Sequence, residues 1–423
     1  MNHYQEAPQA SQESTLAILR EGYRYIGSQC DRLETDLFRS RLMLKNTLFI
    51  RGESSARLFY DKERLTRSQA APKRLQKTLF GVGGVQGLEG ESHRERKALF
   101  LSFMSQERIT RLVHLVEETW QKRMPYWQAQ PPVVLQDEFH WILCRAACDW
   151  CGIAVSDENI PGLAHNLALM IEGGGKVGPK HWKARRARRL TEAALVQLID
   201  EYRHQHARLD PTLPLPAFAT LRDHKGLRLP SRIVAVELLN LIRPIMAIAR
   251  YMVFTALAIH ENPGCAEKLR SEDNHVFRHC FIEEVRRFYP FFPFFIARVR
   301  HDFVWHGYKF HKGWQVILDL YGTNHDAKRW KNPDQFWPER FQQESNDYHR
   351  FAMVPQGGGS YEYHRCPGEW ITLSLLEMTI QVLTRKITYN VPPQDMSVNL
   401  TTIPTQPYSG FIIDNPSQRH SIT

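Results

Sequence analysis

The longest apolar pattern in the chain, residues 233–259, is interrupted by three charges, Glu237, Arg243 and Arg250. At a bilayer centre each would cost about 2.5–3.5 kcal/mol even on a lenient insertion scale, so a buried helix with functional charges is expected, not a membrane span. That helix should run over residues 231–260 and end near Asn262-Pro263-Gly264. A buried helix of such length needs a large protein around it. The chain has 423 residues, 43% of them hydrophobic and 24% charged, enough for two domains or one large helical domain. The first dozen residues are polar and read as no secretory signal, so a soluble, cytoplasmic protein is expected.

A net charge of +10 raises the question of nucleic acid or anionic lipid as a partner. Its densest cluster, Lys183-Ala-Arg-Arg-Ala-Arg-Arg189, comes with no zinc-finger spacing or nucleic-acid signature. The expected reading is a solvated helix face, with attraction of anionic substrates as the alternative. Seven cysteines, an odd number spread along the chain, argue against a disulfide framework. Cys144, Cys148 and Cys151 share a helical spacing without a nearby fourth ligand, and are expected to be small buried hydrophobes.

Periodicity predicts a mainly helical chain with a small β portion near residues 36–60 and 296–320 and after the last helix. A first helix is expected over residues 15–35, with Leu16, Leu19, Tyr23 and Ile26 on one face. Residues 39–50 read as a strand or hairpin, residues 81–90 as a glycine-rich loop able to approach a ligand, and residues 91–131, up to the Pro131-Pro132 break, as helical in pattern. Residues 297–300 and 303–310 are expected to pair in one hairpin turning near Gly307, and residues 367–386 to form a C-terminal helix.

The chemistry centres on Cys366, at the end of Pro355-Gln-Gly-Gly-Gly-Ser-Tyr-Glu-Tyr-His-Arg-Cys-Pro-Gly-Glu369. A thiolate ligand of haem iron needs a lowered thiol pKa, which a metal and nearby amide donors supply. Here the following residues open a helix, whose free N–H groups would face the sulfur. A structural cysteine is the bland alternative; a phosphate loop lacks its Gly-Lys-Ser/Thr ending. Glu284 and Arg287 lie one helical turn apart, and Arg340 follows in Pro338-Glu-Arg-Phe341. A buried Glu–Arg–Arg cluster of these three would pin the loop before the cysteine through charge-assisted hydrogen bonds.

The order of these motifs resembles the cytochrome P450 superfamily over nearly the whole chain, and most closely its bacterial fatty-acid peroxygenases of the hydroxylase/decarboxylase group. Further matching segments are Leu318-Asp-Leu-Tyr-Gly-Thr-Asn-His-Asp326, Val177-Gly-Pro-Lys-His-Trp-Lys183 and Lys77-Thr-Leu-Phe-Gly-Val82. The resemblance implies a single catalytic domain over residues 1–423, with haem b between the long central helix and the Cys366 loop. Where monooxygenases carry an acid–threonine pair, this helix reads Asn240-Leu-Ile-Arg-Pro-Ile-Met-Ala247. Pro244 frees the carbonyl of Asn240 and is expected to open the helix there. Arg243 would hold a substrate carboxylate, which then serves as the missing acid–base group for hydrogen peroxide. Pairing with Glu237 is a poor helical alternative, and Arg250 is a competing carboxylate site.

The resemblance assigns further roles. Gln86 faces the distal side and leans toward hydroxylation, where histidine in the family favours decarboxylation. His93, Lys97 and, more weakly, Arg67 would meet the haem propionates; His364, Arg365 and Gly359 of the ligand loop would contact the haem with Cys366. Phe80, Ile171 and Phe294 would line the fatty-acid channel. The expected reaction is peroxide-driven hydroxylation of a long- or medium-chain fatty acid at the α or β carbon, with possible decarboxylation to a terminal alkene and no obligatory redox partner. A reductase-dependent monooxygenase and a non-catalytic haem-binding sensor or carrier are the alternatives.

Overall fold

The computed structural model describes residues 4–205, 210–271, 274–342 and 350–419. The central helix forms in two pieces, Ser231–Ala247 and Ala249–Glu261, both almost wholly buried. The interruption does not fall at Pro244. The chain stays helical through the proline, and the break comes four residues later at Ile248, whose N–H bonds Ile245 O at 3.1 Å in a tight i−3 turn. Pro244 still removes the donor that Asn240 O would otherwise meet. Around the first piece pack the helices Leu135–Cys151, Ile160–Gly173 and Pro179–Gln205. Cys144, Cys148 and Cys151 are buried in that core and free.

At the N-terminus two short helices, Thr15–Glu21 and Tyr25–Arg32, flank a 3-10 turn, in place of one helix. The buried face is carried by Ile18, Tyr23 and Ile26, while Leu16 and Leu19 are exposed. Residues 91–131 likewise divide, into Gly90–Ser102 and Gln106–Ala129, and Ser105 caps the second through its Oγ on Arg108 N.

The strands join distant parts of the chain. Leu37–Leu42 and Lys45–Ile50 form a hairpin through Met43 and Leu44, both at positive φ (51° and 64°), as a two-residue primed turn requires. Lys45–Ile50 pairs in parallel with Gln315–Asp319, which pairs antiparallel with Phe294–Val299, and Leu65–Thr66 closes the order. Residues 297–300 therefore do not share a hairpin with 303–310. That hairpin is Phe303–Trp305 with Tyr308–Phe310 alone. The C-terminal helix Glu369–Gln381 continues into a wider π turn, Val382–Lys386, before a small sheet of Val133–Val134, Ile412–Gln418 and Ile387–Asn390. No helix among the described residues is long and apolar enough to cross a membrane.

Candidate active site

Between the central helix and the loop carrying Cys366 lies a cavity of about 830 Å³. Cys366 faces it, followed by Pro367 and the cap Gly368 of the helix Glu369–Gln381. A Cβ at Gly368 would stand 3.8 Å from the sulfur, an ordinary van der Waals contact. Burial pushes the thiol pKa up; Lys97 and the Gly368 N–H pull it down. A buried sulfur of this kind becomes a thiolate when a cation takes it.

Behind the cysteine sits an ion network whose roles the sequence did not announce. Arg365 Nε and Nη2 donate to Glu369 at 2.8 and 3.1 Å, and Arg286 donates to the same carboxylate. Arg286 also holds Glu283, at 2.8 and 3.0 Å, and Tyr361 OH bonds Glu369 Oε2 at 3.0 Å. Burial opposes ionisation of Glu369, yet Arg286 and Arg365 outweigh it and the pKa falls to about 2. The signals were present as Glu283/Arg286, three apart on one helical turn, and Arg365/Glu369, four apart across the start of a helix.

The second cluster stands further back, outside the cavity wall. Both Glu284 and Arg287 are wholly buried, and Arg287 Nε and Nη2 donate to Glu284 at 2.8 Å each. Arg340 Nε lies 3.1 Å from Glu284 Oε2, and its other nitrogens hold the carbonyls of Lys331, Asn332 and Gln335. Contact with the cysteine loop is indirect. Arg287 donates to Asn324 O, and Asn324 Oδ1 accepts from Val354 N just ahead of the glycines.

On the opposite wall, Arg243 is 5% exposed and lines the cavity. Its Nε is buried without a hydrogen-bond partner, and no ion pair reaches it among the described residues. Burial, with the charge of Arg188, lowers its pKa to about 9. Glu237 is taken elsewhere: Arg96 Nη1 lies 2.8 Å from its Oε1, and Asn240 Nδ2 donates to its Oε2 at 3.1 Å. The same Asn240 Nδ2 donates to Gln86 Oε1 at 3.1 Å, bringing Gln86 to the cavity beside Pro244.

The basic helix is only partly a solvated face. Lys183, Arg185, Arg186 and Arg189 are exposed, but Arg188 is 3% exposed and turns inward to donate to Leu79 O at 2.8 Å. It clamps the start of the glycine loop. Gly81 has φ 82°, and a Cβ there would lie 2.4 Å from Arg188 Nη2 and 2.4 Å from Val236 Cγ1; one on Gly84 would lie 2.7 Å from Asn240 Nδ2.

Phe80, Ile171 and Phe294 line the cavity, as do Arg67, His93, Lys97, His364 and Arg365. Lys97 Nζ donates to Arg365 O at 2.5 Å, and the rings of His93 and His364 lie 4.4 Å apart, tilted by 42°. Burial holds both imidazoles neutral, with pKa values near 4 for His93 and 2 for His364. Arg67 stacks over Phe59 at 3.9 Å. Gly359 does not line the cavity; it packs against Tyr60, 3.3 Å from where its Cβ would be, and its carbonyl accepts from Arg365. Its part is to let the loop turn.

The residues present fit a haem: a cysteine held on a backbone amide, facing a cavity with cationic and imidazole donors at its rim. This is the arrangement a haem-thiolate protein needs, and it is the class this fold and site define. A family model, Cytochrome P450, matches residues 277–409. Among solved structures, cytochrome P450EX alpha (CYP152N1) with myristic acid is 38% identical, covers 98% of this chain and 100% of that one, and superposes with a TM-score of 0.94. Cytochrome P450SP alpha (CYP152B1) in complex with (R)-ibuprophen is 40% identical over 96% and 99% of the two chains, with a TM-score of 0.92. A cytochrome P450 OleT variant in complex with arachidonic acid is 33% identical over 99% and 100%, at 0.94. Putative cytochrome P450 120 of Synechocystis sp. is 23% identical over 92% of this chain and 91% of its own length. The chain spans only 27% of tabersonine/lochnericine 19-hydroxylase of Catharanthus roseus, at 29% identity. The chain belongs to the cytochrome P450 superfamily, and within it to the fatty-acid peroxygenase group.

Proposed function

We propose that the protein uses hydrogen peroxide to hydroxylate long- or medium-chain fatty acids at the α or β carbon, with some decarboxylation to terminal alkenes, and that Arg243 holds the substrate carboxylate. The observation that carries this reading is the unpartnered guanidinium of Arg243 in a cavity shared with Cys366. A buried cation without a counter-ion is costly, and an entering carboxylate removes that cost while gaining charge-assisted hydrogen bonds. The neighbours that carry myristic and arachidonic acid support a fatty acid as that carboxylate.

Haem b ligated by Cys366 would supply the oxidising chemistry, with peroxide as oxidant. The chain's own residues do the rest. Arg243 fixes the head group, so the carbons nearest the carboxylate are the ones presented for reaction. The substrate carboxylate, held there, exchanges a proton at its own oxygen with peroxide, the task that no acidic or threonine side chain of residues 240–247 can perform. Pro244 keeps that turn short of one N–H, and Gln86, fixed by Asn240, sets the polarity beside the head group. Phe80, Ile171 and Phe294 exclude water from the alkyl chain. His93, Lys97 and Arg67 would meet the haem propionates, and His364, Arg365 and Gly359 shape the loop below. Glu284, Arg287 and Arg340 hold the scaffold behind it. The reading includes one catalytic domain over residues 1–423, no obligatory electron donor, and a cytoplasmic site of action.

Arg243→Ala tests it. With haem still bound, peroxide-driven turnover of a saturated fatty acid should fall about 1000-fold in kcat/KM, a loss of roughly 4 kcal/mol. Undiminished product by mass analysis would refute the anchoring role.

A further inference from the structure

Seven residues beyond Arg243, on the second piece of the central helix, Arg250 also lines the cavity. It is 6% exposed and makes no hydrogen bond or ion pair among the described residues. Burial lowers its pKa; Tyr23, Glu172 and Tyr251 act on it, Glu172 being exposed and not paired with it, and its charge helps burial hold the His140 imidazole neutral. Tyr23 is committed elsewhere, donating from its hydroxyl to Phe291 O at 2.9 Å. The cavity lining includes the apolar Ile18, Phe291, Ile403 and Pro404, and its polar members Lys176 and Thr401 offer Arg250 no counter-ion. A guanidinium there gains nothing from an alkyl chain and loses hydration to it.

Two buried arginines without counter-ions thus open into one cavity, separated by two helical turns, about 10 Å along the axis. We propose that Arg250 is a second anion station, and that the cavity takes an α,ω-dicarboxylic acid with one carboxylate on Arg243 and the other on Arg250. This rests on the role given to Arg243. It extends the substrate class from monoacids to chains acidic at both ends, and it predicts that such diacids bind without the penalty an apolar channel would impose on a buried carboxylate.

The test uses the haem-loaded protein and calorimetric dissociation constants for saturated α,ω-diacids of increasing length, each paired with the monoacid of equal length. Wild-type protein should bind at least one diacid as tightly as its monoacid or more so. In Arg250→Leu the diacid-to-monoacid ratio of dissociation constants should rise about 100-fold, the loss of one buried charge-assisted contact. Arg250→Lys should recover part of it. An equal change for both acids would make Arg250 a packing residue and overturn the proposal, as would wild type binding no diacid as tightly as its monoacid. The wild-type measurement decides alone should Arg250→Leu not fold. Failure of the Arg243 reading looks different, since monoacid binding would then be insensitive to Arg243→Ala.

Discussion

Arg96 takes Glu237 away from Arg243. Its Nη1 lies 2.8 Å from Glu237 Oε1 and also donates to Gly83 O at 2.6 Å, tying the glycine loop to the central helix. Glu237 is wholly buried, so this ion pair, with the Asn240 amide on its other oxygen, neutralises the only acidic side chain of its helix turn and leaves Arg243 without an internal rival for its ligand.

Arg96→Ala should therefore strand a buried carboxylate and cost about 3–5 kcal/mol of stability. Pairing it with Glu237→Leu should restore most of the loss. Urea denaturation of the two variants reads both numbers.

Glu284→Gln removes the charge that Arg287 and Arg340 share. Two guanidiniums are then left facing each other in a dry site, and a loss of about 3–5 kcal/mol is expected. The position of Val354 depends on Asn324 and hence on Arg287, so haem retention after dialysis should fall as well.

His325 gives a pH dependence. Its Nδ1–H donates to Tyr321 O at 3.0 Å, and burial, with Arg287 nearby, lowers its pKa to about 3. The unfolded imidazole takes a proton near pH 6.5, while the folded one stays neutral. Its contribution is thus complete above about pH 6.5 and lost as pH falls toward 3, by on the order of 4 kcal/mol. Denaturation midpoints across that window should slope downward into acid, and His325→Gln should flatten the slope.

Gln86→His would place an imidazole where Asn240 now holds an amide. The resemblance of this loop to the peroxygenases predicts a larger alkene fraction, a shift of about 1 kcal/mol, or roughly fivefold in the alkene to hydroxy-acid ratio. Gas-chromatographic product analysis checks it.

Local patterns made Cys366 and Arg243 legible: a glycine-rich loop opening a helix, and a charge where periodicity demanded an apolar side chain. The Glu284 cluster was readable for the same reason, since Glu-x-x-Arg is a single helical turn. What sequence could not give were relations set by tertiary packing. Arg188 looked like its four exposed neighbours until the glycine loop came against it. Glu369 stood in plain view beside Cys366, yet its partner Arg286 is 83 residues away. Proline is the local breaker, so sequence points to an opening at Pro244, whereas the chain tightens at Ile248, a residue with no such signature. Residues 297–299 joined the larger sheet because Gln315–Asp319 and Leu65 offered partners that periodicity does not name.

The glycine loop limits how this pocket can be redrawn. With Arg188 and Val236 against Gly81, and Asn240 against Gly84, neither position has room for even a methyl group. Any lineage or designer wishing to change the size of the chamber must work from Phe80, Ile171 or Phe294, where side chains already exist to be trimmed or grown, and must leave the ceiling as it is.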